Sequence, residues 1–205
     1  DHVFCPDTMY EPNHMTVVDL PAFQQDTSEG RSRPGHFSGV ATIVTKLFNV
    51  ICPHNAYFGQ KDAAQCCLVK TLVRDLNLSV NVVVCDTMRE QDGLALSSRN
   101  VYLPPDLRQK APIVYQSLLN AKDIFLTTTT TTTTTMSSSL EEDNNDNVTN
   151  DNNGIAAQTL KQAVMECLQS EPAVTEIHYV SVDDKETMQP LEIVTQKDGA
   201  IVSVA

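Results

Sequence analysis

The sequence predicts an α/β fold, and three consecutive runs between residues 55 and 85 carry that prediction. A short apolar run at 55–59 is typical of a buried strand, a helix of about a dozen residues follows it, and the Val-rich run at 80–85 indicates a second strand. A strand, a helix and a strand in this order form a right-handed crossover in a parallel sheet, so both strands point the same way. Their C-terminal ends are then neighbours, and open α/β sheets bind ligands in the crevice outside those ends.

The chain divides into two predicted domains. Residues 1–103 form the later part of the α/β domain, and residues 104–205 form a small α+β domain, because the composition changes after Tyr102 and two prolines follow. An uninterrupted Thr run occupies 127–135, and Ser, Asn and Asp dominate from there to 153. Such a segment cannot bury enough apolar surface to offset its ordering entropy, so we predict a disordered insertion at about 127–153.

The other predicted elements follow the apolar periodicity and the turn residues. The chain starts at Asp1 without Met in a strand-like run and stops at Ala205 within another, so we expect a fragment of a longer protein whose upstream part is absent. The predicted elements are a strand at 15–19, helices at about 37–50, 61–76, 106–125 and 155–170, a strand at 176–182, and a terminal hairpin around 198–199.

Composition and charge limit the classes of function. At 205 residues, 41% hydrophobic and 20% charged, the chain has the composition of an ordinary soluble protein, and no apolar stretch reaches membrane length. The net charge of -12 argues against general nucleic-acid binding. Residues 31–110 nevertheless carry ten Lys and Arg against six Asp and Glu, so positive potential is concentrated there. We expect Lys70, Arg74, Arg108 and Lys110 to be solvated residues on helix faces.

The six cysteines indicate a reducing compartment. They show no paired metal-ligand spacing, and most lie within apolar runs, which favours reduced, packed thiols over a disulfide framework. The sequence also has no signal-peptide pattern. We therefore expect a soluble protein in the cytoplasm.

The residues at the two predicted strand ends suit an anion. Gly59 lets a ligand approach the backbone, the helix that follows offers unpaired N–H groups and a positive dipole end, and Lys61 adds a point charge. In the loop after the second strand, Arg99 supplies a forked donor, and Ser97 and Ser98 supply hydroxyl groups. Each motif alone has an ordinary explanation, a turn with a helix cap in the first case and a polar surface loop in the second.

A polar side chain in the crossover helix indicates a second ligand. Gln65 interrupts the otherwise apolar run 63–69 and shares a helix face with Asp62. Its amide needs a partner, and a substrate that carries a hydroxyl or carboxylate group could supply one.

These motifs together resemble the pantoate–β-alanine ligase family, the pantothenate synthetases. The resemblance is carried by FGQKDAAQ at 58–65, DLNL at 75–78 and REQDGLALSSRN at 89–100, with RPGH at 33–36 matching a segment near the family's substrate pocket. It extends over residues 1–105 and resumes near Ile177. The family belongs to the HIGH/KMSKS nucleotidyltransferases, relatives of class I aminoacyl-tRNA synthetases, which implies a Rossmann-like domain. This chain lacks the His-x-Gly-His motif of the family's N-terminal part, so we expect residues 1–205 alone to be inactive.

The resemblance also implies a reaction and a set of residue roles. The family ligates pantoate and β-alanine to pantothenate through a pantoyl adenylate, with Mg²⁺ and ATP as a substrate, and a homodimer is implied. Two alternatives stay open: another adenylyl-transferring nucleotidyltransferase, and a non-catalytic nucleotide-binding module. The implied catalytic residues are Lys61, Ser97, Ser98 and Arg99; the implied ATP-binding residues are these four with Gly59, Gln60, Asp62, Met88 and Leu96; and the implied substrate residues are Gln65 for pantoate, with Arg33 and His36.

Overall fold

The structure, a computed structural model, describes residues 2–136 and 154–205, and for residues 130–136 it describes the backbone alone. The chain divides into two compact units, Asp1–Asp86 and Thr87–Ala205. This division falls earlier than the boundary at 103/104 that the sequence predicts. The segment 87–103 belongs to the second unit because Arg108, beyond the predicted boundary, forms ion pairs with Glu90 and Asp92.

The first unit contains the predicted strand–helix–strand crossover. Strands β1 (Asn55–Gly59) and β2 (Asn81–Cys85) pair in parallel, with Gly59 opposite Cys85, which confirms the prediction of adjacent strand ends. The strand predicted at 15–19 is wrong: no strand of the described chain includes these residues, and the Val18 N–H donates to the Thr42 hydroxyl at 3.0 Å instead. The elements of this unit are α1 (Pro21–Asp26), α2 (Ser28–Ser32), α3 (His36–Ile51), β1 (Asn55–Gly59), a 3-10 turn (Gln60–Asp62), α4 (Ala63–Asp75) and β2 (Asn81–Cys85).

Helix α4 is the central packing element of the first unit. Its buried residues recur at helical spacing, so one face is apolar and contacts β1, β2 and α3. Helix α3 begins after Gly35, whose positive φ of 77° suits glycine, and it buries Phe37 and Ala41. The buried residues of α4 are Ala64, Cys66, Cys67, Leu68, Val69 and Leu72.

The first α-helical segment of the second unit is one that the sequence predicts as a single helix at 106–125. The structure contains two helices, α5 (Pro105–Lys110) and α6 (Ile113–Met136). They separate at 111–112 because Pro112 has no N–H to donate and its ring disfavours a continuous helix.

The Thr run is helical where the structure describes it. Helix α6 continues through Met136, so the prediction of disorder is wrong for residues 127–136. Thr129 is buried, and its hydroxyl donates to the Phe125 carbonyl at 2.8 Å, as that of Thr127 does to Asp123. A helix that is already nucleated and packed can extend through residues of low propensity, because each added residue gains a hydrogen bond. The rest of the predicted insertion, 137–153, lies outside the described residues.

Two short antiparallel pairs complete the second unit around α7 (Ala157–Gln169). Strand β3 (Gly154–Ala156) pairs with β5 (Ile193–Thr195), and β4 (Val180–Asp183) pairs with β6 (Ile201–Val204). The predicted terminal hairpin is therefore wrong, since β5 and β6 belong to different pairs. Each pairing brings apolar side chains into the core of this unit, Ile155 with Val194 in one pair and Val182 with Val202 in the other.

The described helices include none that is long and apolar enough to cross a membrane.

Replacing Leu68 by alanine should lower the free energy of unfolding by about 3 kcal/mol, because the side chain is fully buried in α4 and its removal leaves a cavity. The control is Leu76→Ala, which removes the same atoms at a position 46% exposed and should cost less than about 1 kcal/mol. Urea unfolding followed by circular dichroism measures both variants. Equal losses would contradict this description of the core.

Candidate nucleotide and substrate site

The ends of β1 and β2 form the base of the first half-site. Gly59 and Cys85 are register partners at the C-terminal ends of the two strands. Gly59 is extended, with φ of -78°, and a Cβ atom added there would meet no atom within 4 Å. No neighbouring group in the described chain therefore requires glycine here, and the open space above it suits the close approach of a ligand.

The thiol of Cys66 supports this strand end from the helix. It donates a hydrogen bond to the Gly59 carbonyl at 3.3 Å. Burial, and then the nearby Asp62 carboxylate, raise the pKa of the Cys66 thiol, so it stays protonated and remains a donor. The Gly59 carbonyl therefore has a hydrogen-bond partner within the chain, while the space beside its Cα atom stays free for a ligand.

The 3-10 turn carries three of the predicted ATP-binding residues. Gln60, Lys61 and Asp62 are all exposed, and the Lys61 ammonium lies 3.2 Å from the Asp62 carboxylate. An exposed pair of this kind is worth little, so Lys61 can exchange this partner for a phosphate at small cost. Helix α4 begins at Ala63, two residues later than predicted, and Asp62 is its N-cap residue without a side-chain capping bond.

Gln65 lies on the first turn of α4 between the buried residues Ala64 and Cys66. It is half-buried, and its amide has no hydrogen-bond partner among the residues that the structure describes. The amide is not among the fully buried unpartnered groups, so water can also satisfy it, and the role of Gln65 toward a substrate stays a prediction.

Arg33 follows the last residue of α2, His36 is the first residue of α3, and both lie near one carboxylate. Arg33 is 3.0 Å from Glu29, and His36 Nε2 is 3.9 Å from the same carboxylate oxygen. Burial, and then the Arg33 charge, lower the pKa of His36, while Glu29 and Asp62 act in the opposite direction. The imidazole is therefore neutral at pH 7, and the influence of Asp62 places it within electrostatic reach of the 3-10 turn.

The second half-site is a hairpin-like loop followed by a short 3-10 helix, Ser98–Tyr102. The Leu96 N–H donates to the Met88 carbonyl at 2.9 Å, and Arg89 bridges to Ala95 in antiparallel fashion. The Ser97 hydroxyl accepts the N–H of Arg99 at 3.2 Å and so starts the 3-10 helix. The loop thus presents two exposed apolar residues and a Ser-Ser-Arg run. Exposed here are Met88 (70%), Leu96 (53%), Ser98 and Arg99.

Arg99 differs from the other arginines of its unit. No carboxylate of the described chain lies within ion-pair distance of it. Arg89, by contrast, stacks on the Tyr115 ring at 3.7 Å, and Arg108 pairs with two carboxylates. Among the three arginines of this unit in the described chain, Arg99 is therefore the one whose guanidinium has neither a carboxylate nor a ring partner to leave before it engages an external anion.

Several residues that support the loop were not predicted from the sequence. Arg108 was expected to be solvated, but it lies 2.8 Å from Glu90 and 2.6 Å from Asp92; likewise Lys110 lies 3.3 Å from Glu171. The sequence did contain a signal for the Arg108 contacts. Glu90 and Asp92 lie just before Gly93, and two carboxylates at a tight turn favour a nearby cation.

Two cavities occur away from these residues. One of about 470 Å³ lies in the second unit beside Tyr115 and Glu171, and one of about 370 Å³ lies in the first unit beside Phe48 and His54. Neither is lined by a predicted site residue. The described residues contain no group of three or more His, Cys, Asp or Glu side chains placed to hold a metal ion.

The fold and the half-sites define an α/β nucleotidyltransferase-like domain with a small α+β domain. Residues 1–205 match the family described as Pantoate-beta-alanine ligase, and the chain belongs to that family.

Named relatives agree with this membership. The chain is 42% identical over 207 residues to the pantothenate synthetase of Thermotoga neapolitana, covering all of this chain and 64% of that protein. It is 53% identical over 120 residues to that of Gluconobacter oxydans, covering 58% of this chain and 43% of the relative. The chain thus spans less than two thirds of the length of these relatives.

Solved structures agree on the fold. A crystal structure of pantothenate synthetase from Thermus thermophilus superposes with a TM-score of 0.71 at 32% identity, covering 96% of this chain and 65% of that chain. The pantoate-beta-alanine ligase of Francisella tularensis, complexed with Beta-gamma ATP and beta-alanine, has a TM-score of 0.53 at 24% identity, covering 93% and 58%. At that identity the second likeness shows the fold alone.

Acidification should destabilise the protein in part through His36. Its folded-state pKa lies below the ordinary value, so the unfolded chain takes up the proton first as the pH falls. The stability present above a pH of about 6.5 is then lost until the folded imidazole is also protonated. His36→Gln should lose less free energy of unfolding than the parent between about pH 7.5 and about pH 5. Urea titrations at the two pH values measure this difference.

The matched control for this prediction is His54→Gln, at an exposed histidine before β1. It should reproduce the pH dependence of the parent. A His36 variant with the same pH dependence as the parent would show that burial of this imidazole does not affect stability.

Proposed function

We propose that the protein containing this chain ligates pantoate and β-alanine to pantothenate with consumption of ATP, through a pantoyl adenylate and with release of AMP and pyrophosphate. The observation that carries the proposal is the family match over residues 1–205, together with an open strand end and an unpaired arginine at the two motifs of the sequence. In the reaction, the carboxylate oxygen of pantoate attacks the α-phosphorus and pyrophosphate leaves. The β-alanine amine then attacks the activated carbonyl, and AMP leaves.

The phosphate-facing residues act by charge and position. Lys61 and Arg99 stabilise the negative charge that develops on the leaving pyrophosphate, and Ser97 and Ser98 donate hydrogen bonds to phosphate oxygens. The exposure of Lys61, Ser98 and Arg99 supports these roles, because each can reach a ligand without unfolding its surroundings. Ser97 also contributes indirectly, since its hydroxyl accepts the N–H of Arg99 and so helps to hold the backbone of that residue.

The remaining residues bind the substrates. Gly59, Gln60 and Asp62 line the adenosine side with Met88 and Leu96, whose exposed apolar side chains suit the face of an adenine ring. Gln65 orients pantoate through its unpartnered amide. Arg33 and His36 lie at the pantoate side, and a neutral His36 there can accept or donate a hydrogen bond without adding charge.

Mg²⁺ enters this proposal with the nucleotide. The ion usually keeps several waters and binds through substrate phosphates and one or two carboxylates, where it neutralises phosphate charge. Asp62 is the carboxylate of the first half-site that fits this demand, since it is exposed and held only by Lys61. The description of the matching family, Pantoate-beta-alanine ligase, supports the choice of pantoate and β-alanine as substrates.

We also propose that the protein is a homodimer and that it is located in the cytoplasm. The cytoplasm is proposed from the sequence, in which the six cysteines have no paired spacing and favour reduced thiols. Two of them, Cys66 and Cys67, are packed in α4. The homodimer rests on the family resemblance, and light scattering coupled to size-exclusion chromatography tests it.

The reaction is tested by AMP production in the protein expressed from its complete coding sequence. AMP should appear only when pantoate, ATP and β-alanine are all present. Sustained AMP release with no requirement for β-alanine would favour another adenylyl-transferring enzyme. Binding of ATP with no turnover would favour a non-catalytic nucleotide-binding module.

Lys61→Ala should lower the rate of pyrophosphate release about a hundredfold, because it removes a positioned charge from the leaving group. Its melting temperature should stay close to that of the parent, since the side chain is exposed and its ion pair with Asp62 is a surface pair. The measurement is pantoate-dependent pyrophosphate release in the protein from the complete coding sequence. The matched control is Lys70→Ala, an exposed lysine of α4, which should keep the parent rate. Equal rates for the Lys61 variant and the parent would remove Lys61 from the mechanism.

A further inference from the structure

Arg108 on α5 is the centre of a charge cluster that holds the turn at 89–95. Its two terminal nitrogens reach different carboxylates, Glu90 at 2.8 Å and Asp92 at 2.6 Å. The hydrogen bonds with Arg108 lower the pKa of Asp92, and those with Asp92 and Glu90 raise the pKa of Arg108, so Asp92 and Arg108 both stay charged. The guanidinium fork therefore ties both acidic residues of the turn to the following helix.

A second contact holds the same turn from α6. The Arg89 guanidinium stacks on the Tyr115 ring at 3.7 Å and donates to the Gly93 carbonyl at 3.0 Å. Gly93 has φ of +92°, and a Cβ atom added there would lie 2.4 Å from a Tyr115 ring carbon. The turn is thus pressed against the ring as closely as a glycine permits, which leaves it little room to move.

Asn100 connects this clamped turn to the phosphate-facing run. Its side-chain amide donates to the Ala95 carbonyl at 3.1 Å and to the Glu90 carboxylate at 3.4 Å. Asn100 lies within the 3-10 helix that carries Ser98 and Arg99. Glu90 therefore receives Arg108 on one oxygen and Asn100 on the other, so a displacement of Glu90 is transmitted to the run that carries Arg99.

The cluster differs from an ordinary surface ion pair. The Arg108 side chain is only 25% exposed and bridges residues 16 and 18 positions away in the sequence. Arg74, by contrast, is 73% exposed and pairs with its sequence neighbour Asp75. A half-buried fork that joins two segments restricts their relative motion, whereas a pair between adjacent residues does not.

We propose that Arg108, acting through Glu90 and Asn100, is a positioning residue that holds the Ser97–Arg99 run in the conformation that receives the nucleotide phosphates. The inference rests on the proposed function for its ligand, ATP, while the clamp itself is a property of the second unit. Arg108 touches no substrate in this scheme. Its effect is to keep Arg99 in one place, so that binding does not have to order the loop.

The first measurement reports loop order without any substrate. Arg99 is exposed, so trypsin can cleave after it once the loop opens, and the rate of that cleavage follows the opening equilibrium. In Arg108→Ala, cleavage after Arg99 should be about tenfold faster than in the parent. Arg108→Lys keeps the charge but has no fork to span both carboxylates, so it should lie between the two. Arg74→Ala is the matched control and should leave this rate unchanged.

The second measurement links the loop to the nucleotide. In the protein from the complete coding sequence, Arg108→Ala should weaken Mg-ATP binding about tenfold, measured by calorimetry at a temperature where all variants are folded. In an Arg99→Ala background the same change should have little further effect, because Arg108 acts through Arg99. A merely structural role would give additive losses. If Arg108→Ala does not fold, Glu90→Ala, which removes the carboxylate that joins Arg108 to Asn100, serves in its place.

The outcomes separate the clamp from the proposed function. Faster cleavage after Arg99 together with non-additive loss of Mg-ATP affinity supports the inference. Unchanged cleavage overturns the clamp, and faster cleavage with unchanged or additively reduced affinity overturns its role in positioning. If the unaltered protein produces no β-alanine-dependent AMP, the proposed function fails by its own assay, while cleavage and Mg-ATP affinity still decide the inference.

Discussion

The parallel pairing of β1 with β2 is the constraint on which the first half-site depends. Because the two strands run in the same direction, their C-terminal ends meet at Gly59 and Cys85, and the chain must cross over between them as helix α4. The crossover places the 3-10 turn directly beyond the strand end. The apolar face of α4 then holds this arrangement by burial, with the Cys66 thiol bonded back to Gly59.

In the second unit, the partners of each arginine determine what it can do. Arg89 and Arg108 are committed to the Tyr115 ring and to two carboxylates, so they shape the loop from within. Arg99 lies close to them in sequence and has no carboxylate partner in the described chain, so its charge remains available to an anion. Because Arg89 and Arg108 shape the loop while Arg99 has no carboxylate partner in the described chain, this loop presents a positive charge although the chain is net acidic.

The Thr run illustrates the limits of composition as a guide. Thr is a poor helix former and nothing in the composition of 127–136 indicates helix, yet α6 continues through it. The helix is nucleated by its packing against α7, and Thr hydroxyls return to the carbonyl groups of the preceding turn. Propagation from a packed helix costs far less than nucleation, and local propensity does not include that difference.

The sequence by itself determined the elements whose signals are local. The strands at 55–59 and 81–85, the helices α3 and α4, and the order that makes the crossover parallel all follow from apolar periodicity over a few residues. The candidate residues from Gly59 to Gln65 and from Ser97 to Arg99 were likewise found from short motifs. Tertiary structure alone decided the partners of residues distant along the chain: Arg108 with Glu90, β5 with β3 rather than β6, and Val18 with Thr42 rather than with a strand. Such partners are chosen by packing and by the need to satisfy charges and polar groups in three dimensions, and no periodicity in the sequence records that choice.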